Sequence, residues 1–284
     1  MKTQSIKVTS SILTSAIIAV SLVGCSGSGN STVAEDCVPK WDFPTETDGK
    51  LTISTYDGLP YYGASSDGTA QGIDVDFLNQ FAADACLEPE WVVAPSASVI
   101  QAVVSGRADI AAGGWYATAE RAEVTDLSDS SYVELPTIFS KNPTSDLSDL
   151  EGKTVGTISG FLWVDELKAV VGELKEYQSV DATLQDLAAG RIEYAVLGSI
   201  DAPYMLTKND AFGGIESNLM DPDERVSSSV TPQLPNYPHT KGNTALTEAL
   251  NDALATAHED GSIAASLEKY GLDPALADTE EYAK

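Results

Sequence analysis

Positive charge is what this sequence most lacks. Its 284 residues carry 16 lysines and arginines against 43 aspartates and glutamates, a formal net charge of −27. Only four of the basic residues are arginines: Arg107, Arg121, Arg191 and Arg225. So acidic a surface repels phosphate backbones, which argues against nucleic acid as a partner. The acids are scattered rather than run together, so they describe a solvated face and not a tail. Histidine is almost missing too. His239 lies in a Pro-rich segment, TPQLPNYPHT, and His258 in a helical stretch; neither has a ligand-type partner four residues on, and no Cys-x-x-Cys occurs. The usual metal-site spacings are therefore absent. GSGNST (27–32) is rich in glycine, but no strand precedes it and no Gly-Lys-Ser/Thr follows, so it is not a phosphate loop. Carboxylates are so numerous that a pair at acid–base spacing carries no information. No catalytic constellation stands out, and the reading is of a non-enzyme without a cofactor.

Long apolar runs are also missing, except at the start. Behind a basic beginning (Lys2, Lys7), residues 12–23 are apolar but broken by Ser and Thr. The run is shorter than the roughly 20 residues a membrane span needs; it reads as a secretory signal covering residues 1–24. Its ending, Leu22-Val23-Gly24-Cys25 followed by SGSGNST, resembles the lipobox of bacterial lipoproteins, which implies a lipidated Cys25 and a flexible tether over residues 25–48. Location is then extracytoplasmic, either lipid-anchored to the outer face of the cell membrane or periplasmic. Removal of residues 1–24 takes away Lys2 and Lys7 and no acid, leaving 14 basic against 43 acidic side chains, a net −29. Two cysteines remain beyond Cys25, namely Cys37 and Cys86. Outside the cell they have one possible pairing, a structural disulfide, the alternative being two buried thiols.

What is present is alternation. LTISTY (51–56) is a β-rich run, and from Asp74 the apolar residues Phe77, Leu78, Phe81, Ala82 and Ala85 fall at helical spacing. EWVVA (90–94) reads as a buried strand. A helix ending near Gly106 and a strand at 108–112 follow. TVGTIS (154–159) restarts the pattern, with helices from about 162 and over 181–189 and a strand at 194–198. Leu246, Ala249, Leu250, Ala253, Leu254 and Ala257 make an apolar stripe, and Ile263 and Leu267 line a last helix closed by Gly271. Strands alternating with helices imply α/β architecture with largely parallel sheets. Residues 102–114, AVVSGRADIAAGG, are echoed at 186–198, DLAAGRIEYAVLG. Both read as a helix end, Gly-Arg, an acid and an apolar strand ending in Gly, which suggests two similar lobes. Ligands of open α/β sheets sit beyond strand carboxyl ends, here Gly113-Gly114-Trp115 and Gly198-Ser199.

The first of those ends opens AAGGWYATAERAE (111–123). Gly113 and Gly114 would let backbone N–H groups approach a ligand. Trp115 and Tyr116 offer flat apolar area with a polar tip. Arg121 offers a planar fork that matches a carboxylate in two places. The competing reading pairs Arg121 with Glu120, Glu123 or Asp126 on the surface.

These motifs, in this order, resemble the family 3 extracellular solute-binding proteins of ABC importers from about residue 50 to 272. The pieces are GIDVDFLNQFA (72–82), SGRADIAAGG (105–114), ATAERAE (117–123) with TDLSDSSY (125–132), LEGKTVGTISG (150–160) and EDGSIAASLEKYG (259–271). The resemblance implies a two-lobed periplasmic-binding-protein fold of type II, with two hinge strands and a ligand cleft between the lobes. Lobe one would comprise 49–137 and the returning segment 231–284, and lobe two 138–230, with crossovers near 136–141 and 226–242. It implies a monomer that binds a small zwitterion, delivers it to a membrane permease, and holds the ligand carboxylate with Arg121, helped by the Gly114 backbone. Lobe-two groups around Ser159, Gly160, Phe161 and Asp201 would join on closure. The chain departs from the family pattern at three places. Tyr116 stands where Ser or Thr is usual, Tyr56 where an acid follows the first strand (with Asp57 beside it), and Gly198 where an aspartate usually pairs with the ligand ammonium. Tyr56, Tyr61, Trp115, Tyr116, Phe161 and Trp163 all fall near strand ends. Three readings stay open: an L-amino acid with Asp201 or Asp57 on its ammonium; a betaine- or ectoine-like solute in an aromatic cage; and, remotely, a cyclohexadienyl-dehydratase-like enzyme.

Overall fold

The computed structural model describes residues 33, 34 and 36–280. The signal segment, Cys25 and residues 25–32 and 35 of the expected tether lie outside these residues; the rest of that stretch is packed on the fold instead of flexible, with Phe43 buried and the Trp41 indole N–H donating to Asp252.

Two five-stranded mixed sheets are built to one plan. The first runs Glu88–Val93, Lys50–Thr55, Ile110–Ala111, Pro238–His239, Asp126–Leu127. The second runs Glu173–Tyr177, Thr154–Ile158, Tyr194–Gly198, Pro136–Ser140, Glu216–Leu219. In each, the first three strands are parallel and the fourth is antiparallel to both of its neighbours. That fourth strand is formed by chain that has just come from the other lobe. The 102–114 and 186–198 echo is thus structural: helices Ser96–Val104 and Val180–Ala188 each feed the third, central strand of their own sheet.

Burial follows the strand positions. Leu51 to Thr55 are all buried, polar residues included, because helices cover both faces of a central parallel strand. Lobe two separates its apolar residues by strand period. Ile138 and Val196 face one cluster with Leu147, Leu150 and Leu167, while Phe139 and Leu197 face another with Leu184, Leu187 and Phe212. EWVVA differs from its expected burial. Glu88–Val93 is an edge strand, and Val92 and Val93 are 40% and 51% exposed because no strand lies beyond them. Glu173–Tyr177 gave no strand signal for a related reason: an edge strand of sequence ELKEY needs little apolar surface.

The C-terminal stripe forms helices, as its spacing implied, and they pack against lobe one. Thr244–Glu259 buries Leu246, Ala249, Leu250, Ala253, Leu254 and Ala257, and Ser262–Lys269 buries Ile263 and Leu267. The Tyr270 hydroxyl accepts from the Gly72 N–H at 2.7 Å, which ties this end to the start of helix Ile73–Asp84. A Cys37–Cys86 disulfide pins the N-terminal segment to the end of that same helix. The two crossings meet as an isolated antiparallel bridge between Glu134 and Gln233, with Glu134 N–H to Gln233 oxygen at 2.9 Å and the reverse at 3.1 Å. Pro136 is already in the second sheet, so the first crossing comes slightly ahead of residues 136–141.

Candidate functional site

The ends of strands Lys50–Thr55 and Ile110–Ala111 place Tyr56 and Gly113-Gly114 side by side. Gly113 has φ +123° and Gly114 φ +68°, backbone that side chains rarely tolerate. A Cβ on Gly113 would fall 2.5 Å from the Tyr56 ring, and one on Gly114 2.8 Å from the Tyr61 ring. The glycines are therefore needed by the chain's own tyrosines, whereas the sequence suggested an approaching ligand. Buried Asp74, in the first turn of its helix, holds this turn: it accepts from the Gly113 N–H at 2.7 Å and from the Tyr237 hydroxyl at 3.2 Å. Burial pushes its carboxyl up to about 7, although the N–H groups of Gly113 and Gly114 and the Tyr237 hydroxyl oppose the shift.

The short strand Trp115–Tyr116 pairs antiparallel with Pro235–Asn236 of the returning crossing. Thr118 then caps helix Ala119–Val124, its hydroxyl accepting from the Arg121 N–H at 3.2 Å. That cap aims the Arg121 side chain back over the strand just left. Its guanidinium carbon lies 5.0 Å from the Trp115 ring centroid, and its Nη1 donates to the Tyr116 carbonyl. Burial lowers its pKa somewhat, so the cation is partly desolvated. Among the described residues no carboxylate forms an ion pair with it: Asp126 goes to Lys241, Asp186 takes Arg191, and Asp223 and Glu151 take Arg225. The surface pairing that competed for Arg121 is not formed.

Tyr116 reaches the other way with its side chain. Its hydroxyl donates to Glu134 Oε2 at 2.8 Å. Glu134 is buried at the crossing between the lobes, and its Oε1 occupies the place that a Cβ on residue 198 would need. Beside it, Asp201 begins helix Asp201–Lys208, acted on by the Tyr61 hydroxyl; its Oδ1 is buried with no hydrogen-bond partner among the described residues. Burial raises both carboxyls, and Asp201 raises Glu134 further. Leu135 N–H donates to Ser199 Oγ at 3.1 Å and locks the crossing onto lobe two.

The aromatics noted in the sequence divide into two groups. Tyr56, Tyr61 and Trp115 pack together, with Tyr56 6.3 Å from Tyr61 and 6.2 Å from Trp115 between centroids, and the Tyr56 hydroxyl donates to the Gly113 carbonyl at 3.2 Å. Trp163 instead belongs to the lobe-two core. It is 5% exposed, its indole N–H donates to Thr157 Oγ1 at 3.0 Å, and Phe161 packs edge-on against it at 4.9 Å. Ser159 accepts from Gln178, and Gly160 is exposed at φ +86° in the turn after strand Thr154–Ile158. Asp57 is exposed in its loop beside Tyr62. Sequence reasoning missed Glu134, Asp74 and Asn236. The last lies opposite Trp115 with both side-chain polar atoms buried and unpartnered among the described residues. The one signal for Glu134 was a lone acid in the apolar run YVELPTIF.

A separate hollow of about 540 Å³ lies in lobe one among Trp41, Phe77, Asp252 and Lys269. Its charges are already matched, Lys269 by Asp76 and Lys40 by Asp84, and Asp252 accepts from Trp41. Nothing there calls for a ligand. His239 is likewise structural, its ring held between the Tyr237 carbonyl and the Thr247 hydroxyl.

Known proteins can be set beside this geometry. The chain is 26% identical over 263 residues to a probable histidine-binding protein of Neisseria gonorrhoeae, covering 89% of this chain and 91% of that one. It is 26% identical over 261 residues to the arginine-binding extracellular protein ArtP of Bacillus subtilis, covering 89% and 93%. Among solved structures, the second substrate-binding domain of GlnP from Lactococcus lactis, in its open conformation, aligns with a TM-score of 0.68 at 24% identity, over 81% of this chain and 98% of that one. The unliganded, open L-cystine solute receptor of Neisseria gonorrhoeae aligns with a TM-score of 0.69 at 18% identity, over 81% and 96%. These structural likenesses show the two-lobed type II fold. Among the described residues no helix is long and apolar enough to cross a membrane. The sequence profile of the bacterial extracellular solute-binding proteins, family 3, matches residues 51–273, and the chain belongs to that family.

Proposed function

We propose that this protein captures a small L-amino acid between its two lobes and delivers it to the membrane permease of an ABC importer. Arg121 holds the ligand carboxylate, and an acid at the base of the cleft holds its ammonium. The observation that carries this reading is Tyr116. Its carbonyl accepts from Arg121, a cation with no ion-pair partner among the described residues, and its hydroxyl donates to buried Glu134. Positive and negative groups thus sit at the two ends of one residue, as a zwitterion requires. Relatives named for histidine, arginine and L-cystine binding support the same class. A betaine is disfavoured because a quaternary nitrogen has no N–H to offer the unpartnered Asp201 oxygen. The Tyr56, Tyr61 and Trp115 rings then shape the apolar wall, and Ser159, Gly160 and Phe161 close from lobe two. Lipid on Cys25 tethers the monomer outside the membrane, and ligand shifts the open–closed balance only by its preference for the closed form.

The test is a thermal-shift panel of L-amino acids against their N-trimethylated forms and cyclic zwitterions. A ligand at about 1,000 times its Kd adds roughly 4 kcal/mol, so true ligands stand clear of background. Stabilisation by free amino acids, lost on trimethylation, is expected. Stabilisation only by methylated or cyclic zwitterions would overturn the reading.

A further inference from the structure

Glu134 and Asp201 are two carboxylates in one buried place, and what surrounds them is neutral or acidic. Tyr116 bonds to Glu134 and the Tyr61 hydroxyl to Asp201, while Tyr56 lies near both acids and Tyr132 near Glu134, with Asp74 close to Tyr56 and Tyr132. Burial and the neighbouring acids push these phenols up, so they stay un-ionised donors. Among the described residues no lysine or arginine pairs with either acid. Glu134 cannot swing away: its backbone is bonded in both directions to Gln233, Tyr116 holds one carboxyl oxygen, and the other fills the space above Gly198. Gly198 ends the central strand of lobe two, so the Glu134 carboxylate stands at that strand's carboxyl end without being carried by the strand. Asp201 presents a buried oxygen, Oδ1, that no donor among the described residues reaches.

Resting on the amino-acid reading above, we propose that Glu134 and Asp201 together receive the ligand's protonated amine, and that the amine enters by expelling a proton the two carboxylates hold between them. Glu134 lies against Gly198 and Asp201 begins the helix three residues on; with no cation paired to either, two such buried carboxyls do not both ionise, so the pair keeps a proton until ligand arrives. A primary ammonium brings its own positive charge and three N–H donors. One N–H reaches the free Asp201 oxygen and one reaches Glu134 Oε1. The cation then favours both carboxylates in the ionised form, and the displaced proton leaves to solvent. No bond other than O–H is broken, and charge balances with one proton released per amine bound. Capture therefore tightens as pH rises, whereas an exposed carboxylate site, its acid already ionised, is indifferent to pH near neutrality.

The experiment is calorimetric titration of the full chain with L-arginine, L-histidine and L-cystine, each in phosphate and in Tris at the same neutral pH. A heat that differs between the buffers by about one proton's ionisation is expected, with affinity rising by up to about tenfold per pH unit across neutrality. Glu134→Gln should abolish the buffer dependence and weaken binding at least about tenfold, as for loss of one charge-assisted bond. A second pair of variants guards against simple misfolding. Gly198→Asp alone should damage binding, because its side chain meets Glu134. Gly198→Asp combined with Glu134→Ala puts a carboxylate back at the strand end and should recover affinity over Glu134→Ala alone. A probe that binds with equal heat in both buffers, and equally well to Glu134→Gln, overturns the assignment and leaves the amino-acid reading standing. Failure of every L-amino acid to bind the parent protein sinks that reading, and this assignment with it.

Discussion

Replacing Arg121 with methionine separates a binding cation from a structural one. Methionine keeps the length and apolar stem of the side chain while removing charge and donors. Among the described residues the guanidinium donates to the Tyr116 carbonyl and lies against the Trp115 face. These are worth roughly 1 and roughly 0.5–1 kcal/mol respectively, and the recovered desolvation of a half-buried cation offsets part of them. Stability of the ligand-free protein should therefore change by no more than about 1 kcal/mol, since no buried carboxylate is left unpaired. Affinity is a different matter. Loss of a charge-assisted, two-point carboxylate contact costs about 1.5–3 kcal/mol, a roughly 10- to 150-fold rise in Kd. Denaturant melts of ligand-free protein and calorimetry with the best amino acid from the panel give the two numbers independently. Arg191→Met is the control, because Arg191 is spent on Asp186 at the lobe-two surface and should leave Kd unchanged. Unchanged Kd in Arg121→Met would refute the clamp and leave Arg121 as a support for Trp115. A stability loss as large as the affinity loss would refute it as well.

Two further outcomes follow from groups away from Arg121. The Cys37–Cys86 disulfide closes a separation of 49 residues, for which loop-closure entropy gives about 4 kcal/mol, so the double serine variant should unfold at clearly lower denaturant while still binding ligand. Asp74 carries a folded-state pKa near 7, above its ordinary 3.8, so its contribution is fully present below about pH 4 and is lost as pH rises through 7. About three units correspond to an upper figure of about 4 kcal/mol. Asp74→Asn should flatten that part of the stability–pH curve, measured by melts from acid to mildly alkaline pH, and an unchanged slope would place the titration elsewhere.

Local patterns determined much of this protein. Apolar residues at periods of two and 3.6 announced the strands and helices of both lobes, because each element must bury one face whatever its partners. The Gly-Arg echo announced that two lobes share a plan, and both copies now sit at the same position of their sheets. Arg121 stood out in the sequence because arginine is rare here and two glycines and two aromatics come shortly before it. The charged centre was not legible. Glu134 is one of 43 acids, and its meaning comes from Gly198, 64 residues away, whose missing side chain makes room for it. Nor does sequence separate Trp115, which lies under the Arg121 guanidinium, from Trp163, whose indole is turned into the lobe-two core toward Thr157. Secondary structure follows from spacing along the chain. Which carboxylates lose their water, and which of them must share a proton, follows only from what the folded chain packs against them.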